Sequence, residues 1–175
     1  TVIMSQKDTT ICDNSTITMG AVGANTYVWS PSSSLNTTSG SSVISSPLNT
    51  LTYQVIGTDV YGCVDTANTT LTVGPNPQLS TINPTVCIGD SSHMSVQSSI
   101  LGTSFMWSNG MTGNNISVKA NNTQSYTVTA TSPTGCVSQA QTQITVFQKP
   151  TISVSPSNPS ICFGESVLVN LSGAS

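Results

Sequence analysis

Apolar and polar residues alternate with a period of two along most of this chain, and apolar residues nowhere recur at helical spacing. The alternating runs predict strands over residues 1–5, 15–20, 26–30, 41–46, 51–59 and 66–73. A second set follows over 78–82, 92–98, 103–108, 115–119, 124–131 and 138–147, and a third begins with 151–155 and 165–171. Gly, Pro, Asn and Ser stand between the runs, as turns require. Val60-Tyr61-Gly62 and Pro133-Thr134-Gly135 read as tight connections between the last two strands of each set.

The sets are copies. Ile11-Cys12-Asp13-Asn14-Ser15 returns as Val86-Cys87-Ile88-Gly89-Asp90-Ser91 and as Ile161-Cys162-Phe163-Gly164-Glu165-Ser166, with the cysteines 75 residues apart each time. Trp29 answers Trp107, Tyr53 answers Tyr126, and Gly62-Cys63 answers Gly135-Cys136. The Tyr-to-Cys distance is 10 residues in both copies, whereas Cys-to-Trp is 17 and then 20. Length changes therefore collect in the middle of the unit, where loops absorb them. A fixed long period means one unit in tandem. The predicted organisation is repeat 1 over residues 1–76, repeat 2 over 77–149 and the start of a truncated repeat 3 over 150–175. Boundaries at Val73-Gly74-Pro75-Asn76-Pro77 and Val146-Phe147-Gln148-Lys149-Pro150 end the ladders, because proline has no donor. The chain starts inside a strand pattern and is read as a fragment.

Six or seven short strands per unit, with an inward Trp on the third and a Tyr opening the penultimate one, match an immunoglobulin-like sandwich. The fold class is all-β: tandem immunoglobulin-like (PKD-like) β-sandwich repeats stacked end to end. Trp29 and Trp107 are read as core plugs. Tyr53 and Tyr126 are read as core residues of the tyrosine-corner type, with hydroxyls bonded to backbone at the turn.

Composition narrows the function. Ser and Thr make 57 of the 175 residues, but 36% are hydrophobic and they alternate, so the chain is not of disordered type. Lys7, Lys119 and Lys149 are the only basic residues and the net charge is −3. Nucleic acid needs phosphate-neutralising Lys and Arg, so it is excluded as a partner. No apolar stretch is long enough for membrane insertion. A metal site, a cofactor site and an enzyme active site are likewise not expected. His93 is the only His and does not recur, the carboxylates are single and scattered, and Asp59 and Asp65 flank a turn without a dense oxygen-ligand loop.

Five cysteines at repeat-locked positions, without a CxxC, indicate disulfides in an oxidising compartment. Two pairings fit. The preferred one lies within each repeat, Cys12 with Cys63 and Cys87 with Cys136. Closing a loop of about 50 residues stabilises by roughly 3 to 4 kcal/mol in the chain-entropy model. Against it, the two cysteines of one repeat occupy connections at opposite ends of a standard sandwich. The alternative runs between neighbours, Cys136 to Cys12, leaving Cys87 for a following unit and Cys63 for a preceding one. Cys162 is unpaired in the fragment either way.

The unit spells Ile-Cys-x-x-Ser, Tyr-x-Trp-Ser-Pro, Thr-Tyr-x-Val, Asp-x-x-Gly-Cys and a Thr/Val strand. It resembles the PKD-like and immunoglobulin-like repeats of giant bacterial surface adhesins exported by type IX secretion, of the gliding-motility adhesin type. Repeat 2 departs from it at Trp107-Ser108-Asn109, which lacks the Pro. The resemblance implies an extracellular, cell-surface stalk or filament in gliding motility or surface attachment. Its partners would be neighbouring repeats of the same chain and a surface or polysaccharide target of unknown identity. It also implies a glycoprotein: Asp65-Thr66-Ala67 fits an Asp-Ser/Thr-aliphatic O-glycosylation pattern at Thr66, and Asp8-Thr9-Thr10 is a weaker match at Thr9. Two other readings stay open. A carbohydrate-binding accessory module of a secreted hydrolase would need an exposed aromatic row, for which Tyr61, Phe147 and Phe163 are the candidates. A self-assembling sheath or filament subunit would use edge strands.

Overall fold

A computed structural model describes residues 1–173 and contains strands but no helix among them. The first seven strands are β1 (Ile3–Met4), β2 (Thr9–Cys12), β3 (Ile17–Val22), β4 (Thr26–Ser30), β5 (Ser42–Ser45), β6 (Leu51–Thr58) and β7 (Val64–Gly74). They form a three-stranded sheet, β1-β3-β5, and a four-stranded sheet, β2-β7-β6-β4. The next seven are β8 (Leu79–Thr81), β9 (Thr85–Cys87), β10 (Ser91–Ser98), β11 (Ser104–Trp107), β12 (Asn115–Lys119), β13 (Gln124–Thr131) and β14 (Val137–Phe147). They repeat the plan as β12-β10-β8 and β11-β13-β14-β9. Every pairing is antiparallel except β2 on β7 and β9 on β14. A last pair, β15 (Ile152–Ser155) and β16 (Asn170–Gly173), is antiparallel, as β1–β3 and β8–β10 are.

Alternation sends one face of each strand inward. The first core holds Met19 and Ala21 from β3, Val43 from β5, Tyr27 and Trp29 from β4, Tyr53 and Val55 from β6, and Leu71 from β7. These residues come from both sheets, which makes the unit a sandwich. The second core repeats six of these positions, with Met94 and Val96, Ile116, Trp107, Val128 and Ile144, while Phe105 and Tyr126, in the places of Tyr27 and Tyr53, are partly buried against it. Burying each large apolar side chain contributes about 1.5–3 kcal/mol. Topology, inward Trp and alternating strands define an immunoglobulin-like β-sandwich.

Trp29, Trp107 and Tyr53 are almost fully buried, at 1%, 2% and 0% exposure, whereas Tyr126 is half-buried at the edge of its core. Each Trp indole also satisfies its polar end. Nε1 donates to the Gly40 carbonyl from Trp29 and to the Gly113 carbonyl from Trp107, both at 2.9 Å. The tyrosine-corner expectation needs correction. Tyr53 Oη meets the Ser45 and Ser34 hydroxyls at 2.8 and 3.1 Å, not backbone. Tyr27 makes the local backbone link instead: its hydroxyl donates to the Ala24 carbonyl and accepts the Ala24 N–H.

Two strand expectations also change. The sequence pattern places β2 and β9 inside connections, because three or four residues carry too little alternation to register. Their ladders are made with a partner more than 55 residues away in sequence. In the third set the second strand begins at Asn170 instead of residue 165, placed there by its register with β15.

Candidate functional site: the junction of the two sandwiches

The chemistry of this chain concentrates where the first sandwich meets the second. Strand β2 runs parallel to the end of β7 and sets Cys12 beside Gly74. The chain then turns, with the Asp13 N–H donating to the Gly74 carbonyl at 2.9 Å and the Ser15 N–H to the Cys12 carbonyl at 3.0 Å. Asn14 sits inside this turn with φ of 61°.

The opposing group is the β13–β14 turn, Ser132-Pro133-Thr134-Gly135-Cys136. The Ser132 and Cys136 backbones close it through N–H···O at 2.8 Å, and the Ser132 hydroxyl accepts the Cys136 N–H at 3.1 Å. Gly135, at φ of 87°, takes the left-handed position that a side chain would strain. The turn delivers Cys136 to Cys12: the sulfurs are bonded at 2.15 Å with Cα atoms 5.5 Å apart. Cys136 is fully buried and its sulfur lies 3.4 Å from the Gly74 carbonyl oxygen. A β-carbon on Gly74 would come within 2.7 Å of Thr134 Oγ1 and 3.2 Å of Cys136 Sγ, so glycine lets the turn sit this close. From the linker, Asn76 Nδ2 donates to the Asp13 carbonyl at 3.0 Å.

The preferred within-repeat pairing is therefore overturned: Cys12 is bonded to Cys136, and Cys63, Cys87 and Cys162 are free thiols. The reason is the length of β7. Cys12 lies beside its last residue and Cys63 precedes its first, so eleven residues of extended strand separate them. That is roughly 36 Å, against a disulfide limit near 7 Å between Cα atoms.

The other sequence candidates lie apart from one another. Thr66 is exposed on β7 and Thr9 half-buried on β2. Asp65 Oδ2 accepts the Val2 N–H at 2.7 Å and Oδ1 the Thr66 N–H at 2.9 Å. Those two hydrogen bonds hold its carboxyl below the usual carboxylate range. Asp59 Oδ1 accepts the N–H groups of Tyr61 and Cys63 within the β6–β7 turn. Among the described residues, no three His, Cys, Asp or Glu side chains converge as metal ligands. His93 is exposed on β10. Tyr61, Phe147 and Phe163 are exposed, but they belong to the β6–β7 turn, the end of β14 and the third set respectively. They do not form a row on one sheet.

No protein-family model and no curated protein matches the sequence. Similar solved structures include the fibronectin(III)-like modules of Clostridium thermocellum CbhA, at 10% identity and TM-score 0.46 over 85% of this chain and 95% of that one. The titin I-band fragment I67–I69 is similar at 11% identity and TM-score 0.45 over 99% of this chain and 76% of that one. The N-terminal eight immunoglobulin domains of Down Syndrome Cell Adhesion Molecule are similar at 13% identity and TM-score 0.43, over 99% of this chain and 32% of that one.

Proposed function

We propose that this chain is a structural spacer: part of a run of immunoglobulin-like repeats, stacked end to end, that forms the stalk of a large cell-surface adhesin. The observation that carries this reading is the Cys12–Cys136 bond. It ties one sandwich to the next through the end of β7 and the turn before β14, where a swivelling linker would otherwise stand. A covalent joint between consecutive modules resists bending and separation, which serves a stalk and has no use in a lone binding module. Disulfides persist in oxidising compartments, so the bond supports an extracellular location. The PKD-like spelling of the unit supports a type IX-exported adhesin in gliding or surface attachment, with Thr66 and Thr9 as O-glycosylation positions.

Small-angle scattering on the oxidised and reduced chain tests the reading. A spacer gives an extended particle, with roughly 35 to 40 Å contributed by each sandwich and its loops. Reduction should broaden its distance distribution. A compact oxidised particle, or specific retention on a glycan array, refutes the spacer and favours a carbohydrate-binding module. Growth of the particle with concentration favours a self-assembling filament.

A further inference from the structure

The junction around Cys12 exists twice more in half. Downstream, Cys87 ends β9 beside Phe147, as Cys12 ends β2 beside Gly74. The Ile88 N–H donates to the Phe147 carbonyl at 2.8 Å, as Asp13 does to Gly74, and the Asp90 N–H donates to the Cys87 carbonyl at 3.1 Å, as Ser15 does to Cys12. Even the linker tether returns. Asn76, two residues past Gly74, holds the loop after Cys12; Lys149, two residues past Phe147, donates to Asp90 Oδ1 at 2.8 Å in the loop after Cys87.

Upstream, Cys63 ends the β6–β7 turn as Cys136 ends the β13–β14 turn. The backbones of Asp59 and Cys63 close that turn at 3.0 Å, Gly62 takes φ of 85°, and Asp59 Oδ1 accepts the Cys63 N–H at 2.9 Å where Ser132 accepts that of Cys136. The two sulfurs are thiols, Cys63 exposed and Cys87 half-buried. One precedes β7 of the first sandwich and the other flanks the end of β14 of the second. They are the two unmatched halves of the joint seen at Cys12–Cys136.

We propose that the Cys12–Cys136 bond is one rung of a disulfide ladder. Cys87 bonds the turn cysteine of a following sandwich of this repeat, and Cys63 bonds the β2-type cysteine of a preceding one. The occupant is another copy of the same unit. Residues 151–173 already open one: β15 pairs β16 as β8 pairs β10, and the Glu165 N–H donates to the Cys162 carbonyl at 3.1 Å in the same turn. The step is thiol–disulfide exchange: two cysteine thiols and one external disulfide oxidant become one protein disulfide and two reduced thiols. One feature differs between the sites. Phe147 stands where Gly74 does, so the incoming turn must sit further out at Cys87 than at Cys12. The exposed Phe147 ring has room to turn aside.

This extends the spacer reading, and a chain that bound glycans instead would leave the bond map unchanged. The test lengthens the chain, with residues 1–149 followed by a second copy of 77–173 that carries Cys87→Ser, so that one Cys87 remains to be mapped and Lys149 meets Pro77 as it naturally meets Pro150. The protein is folded in oxidised and reduced glutathione, its thiols are alkylated, and non-reduced peptides are mapped by mass spectrometry. The expected result is a peptide joining Cys87 of the first copy to Cys136 of the added one, with loss of the alkylated Cys87 peptide. Recovery of that Cys87 as an alkylated thiol, with Cys12–Cys136 intact, overturns the ladder. A bond that forms only in the Phe147→Gly variant overturns it as well, because the natural aromatic would then exclude the rung.

Discussion

Gly74 is a position where an added side chain would press on the turn of the neighbouring sandwich. Its missing side chain leaves the room that Thr134 and the Cys136 sulfur occupy. Gly74→Val should leave both cores folded and raise the alkylation of Cys12 and Cys136 under mild oxidation; an unchanged crosslink yield refutes the close-approach argument. Asn14 holds φ of 61° where the copies have Gly89 and Gly164, at 81° and 90°. Asn14→Val should cost about 1–2 kcal/mol, since a β-branched residue is strained in the left-handed region, whereas Asn14→Gly should be close to neutral. Urea unfolding of the two variants decides this. The pair Thr69 and Thr142 makes a third test. Thr142 donates its hydroxyl to the Ile82 carbonyl, whereas Thr69 Oγ1 is buried with no partner. Thr69→Val should therefore stabilise by about 1 kcal/mol and Thr142→Val destabilise by about the same. Equal effects at the two sites would contradict the hydrogen-bond assignment.

At the scale of an element, a carboxylate anchors the residue that leads into β1. The Asp65 carboxyl is held below its usual range by the Val2 and Thr66 N–H groups. A folded value below the unfolded one means the contribution is present above the ordinary carboxylate pKa and lost as pH falls through the depressed one. Hydrogen-exchange protection of the Val2 amide should fall in that acidic window. Asp65→Asn should flatten the dependence, and a protection profile that is level across the window sinks the idea. The turns before β7 and β14 show how one geometry tolerates two residue types. Asp59 and Ser132 both accept the N–H of the cysteine four residues on. That is why the Asp-x-x-Gly-Cys spelling of the first copy survives as Ser-x-x-Gly-Cys in the second.

The whole molecule is organised by a bond between residues 124 apart in sequence. In the chain-entropy model, a loop of that size restricts the unfolded chain by about 5 kcal/mol. Cys136→Ser should therefore lower the denaturant midpoint of the oxidised chain and open the Pro75–Pro77 linker to proteolysis. Cys63→Ser should do neither in this 175-residue chain, because Cys63 is a free thiol in it. Equal losses in both variants would point to the within-repeat pairing that the strand length forbids.

Sandwich strands, inward Trp positions and the repeated unit were legible in the sequence because each rests on local information. Period-two alternation decides which face of a strand is buried, and a 75-residue period brings that decision back. Strands β2 and β9 were not, since three or four residues acquire their role only from a distant parallel partner. Nor was the partner of the Tyr53 hydroxyl, which is a packing outcome. By itself the sequence pointed to disulfides among repeat-locked cysteines of a β-sandwich, and one such bond is present, Cys12–Cys136, with Cys63, Cys87 and Cys162 as thiols. Tertiary structure alone decided which sulfur meets which, because an eleven-residue strand carries the two cysteines of one unit to opposite ends and leaves the neighbour's turn within reach.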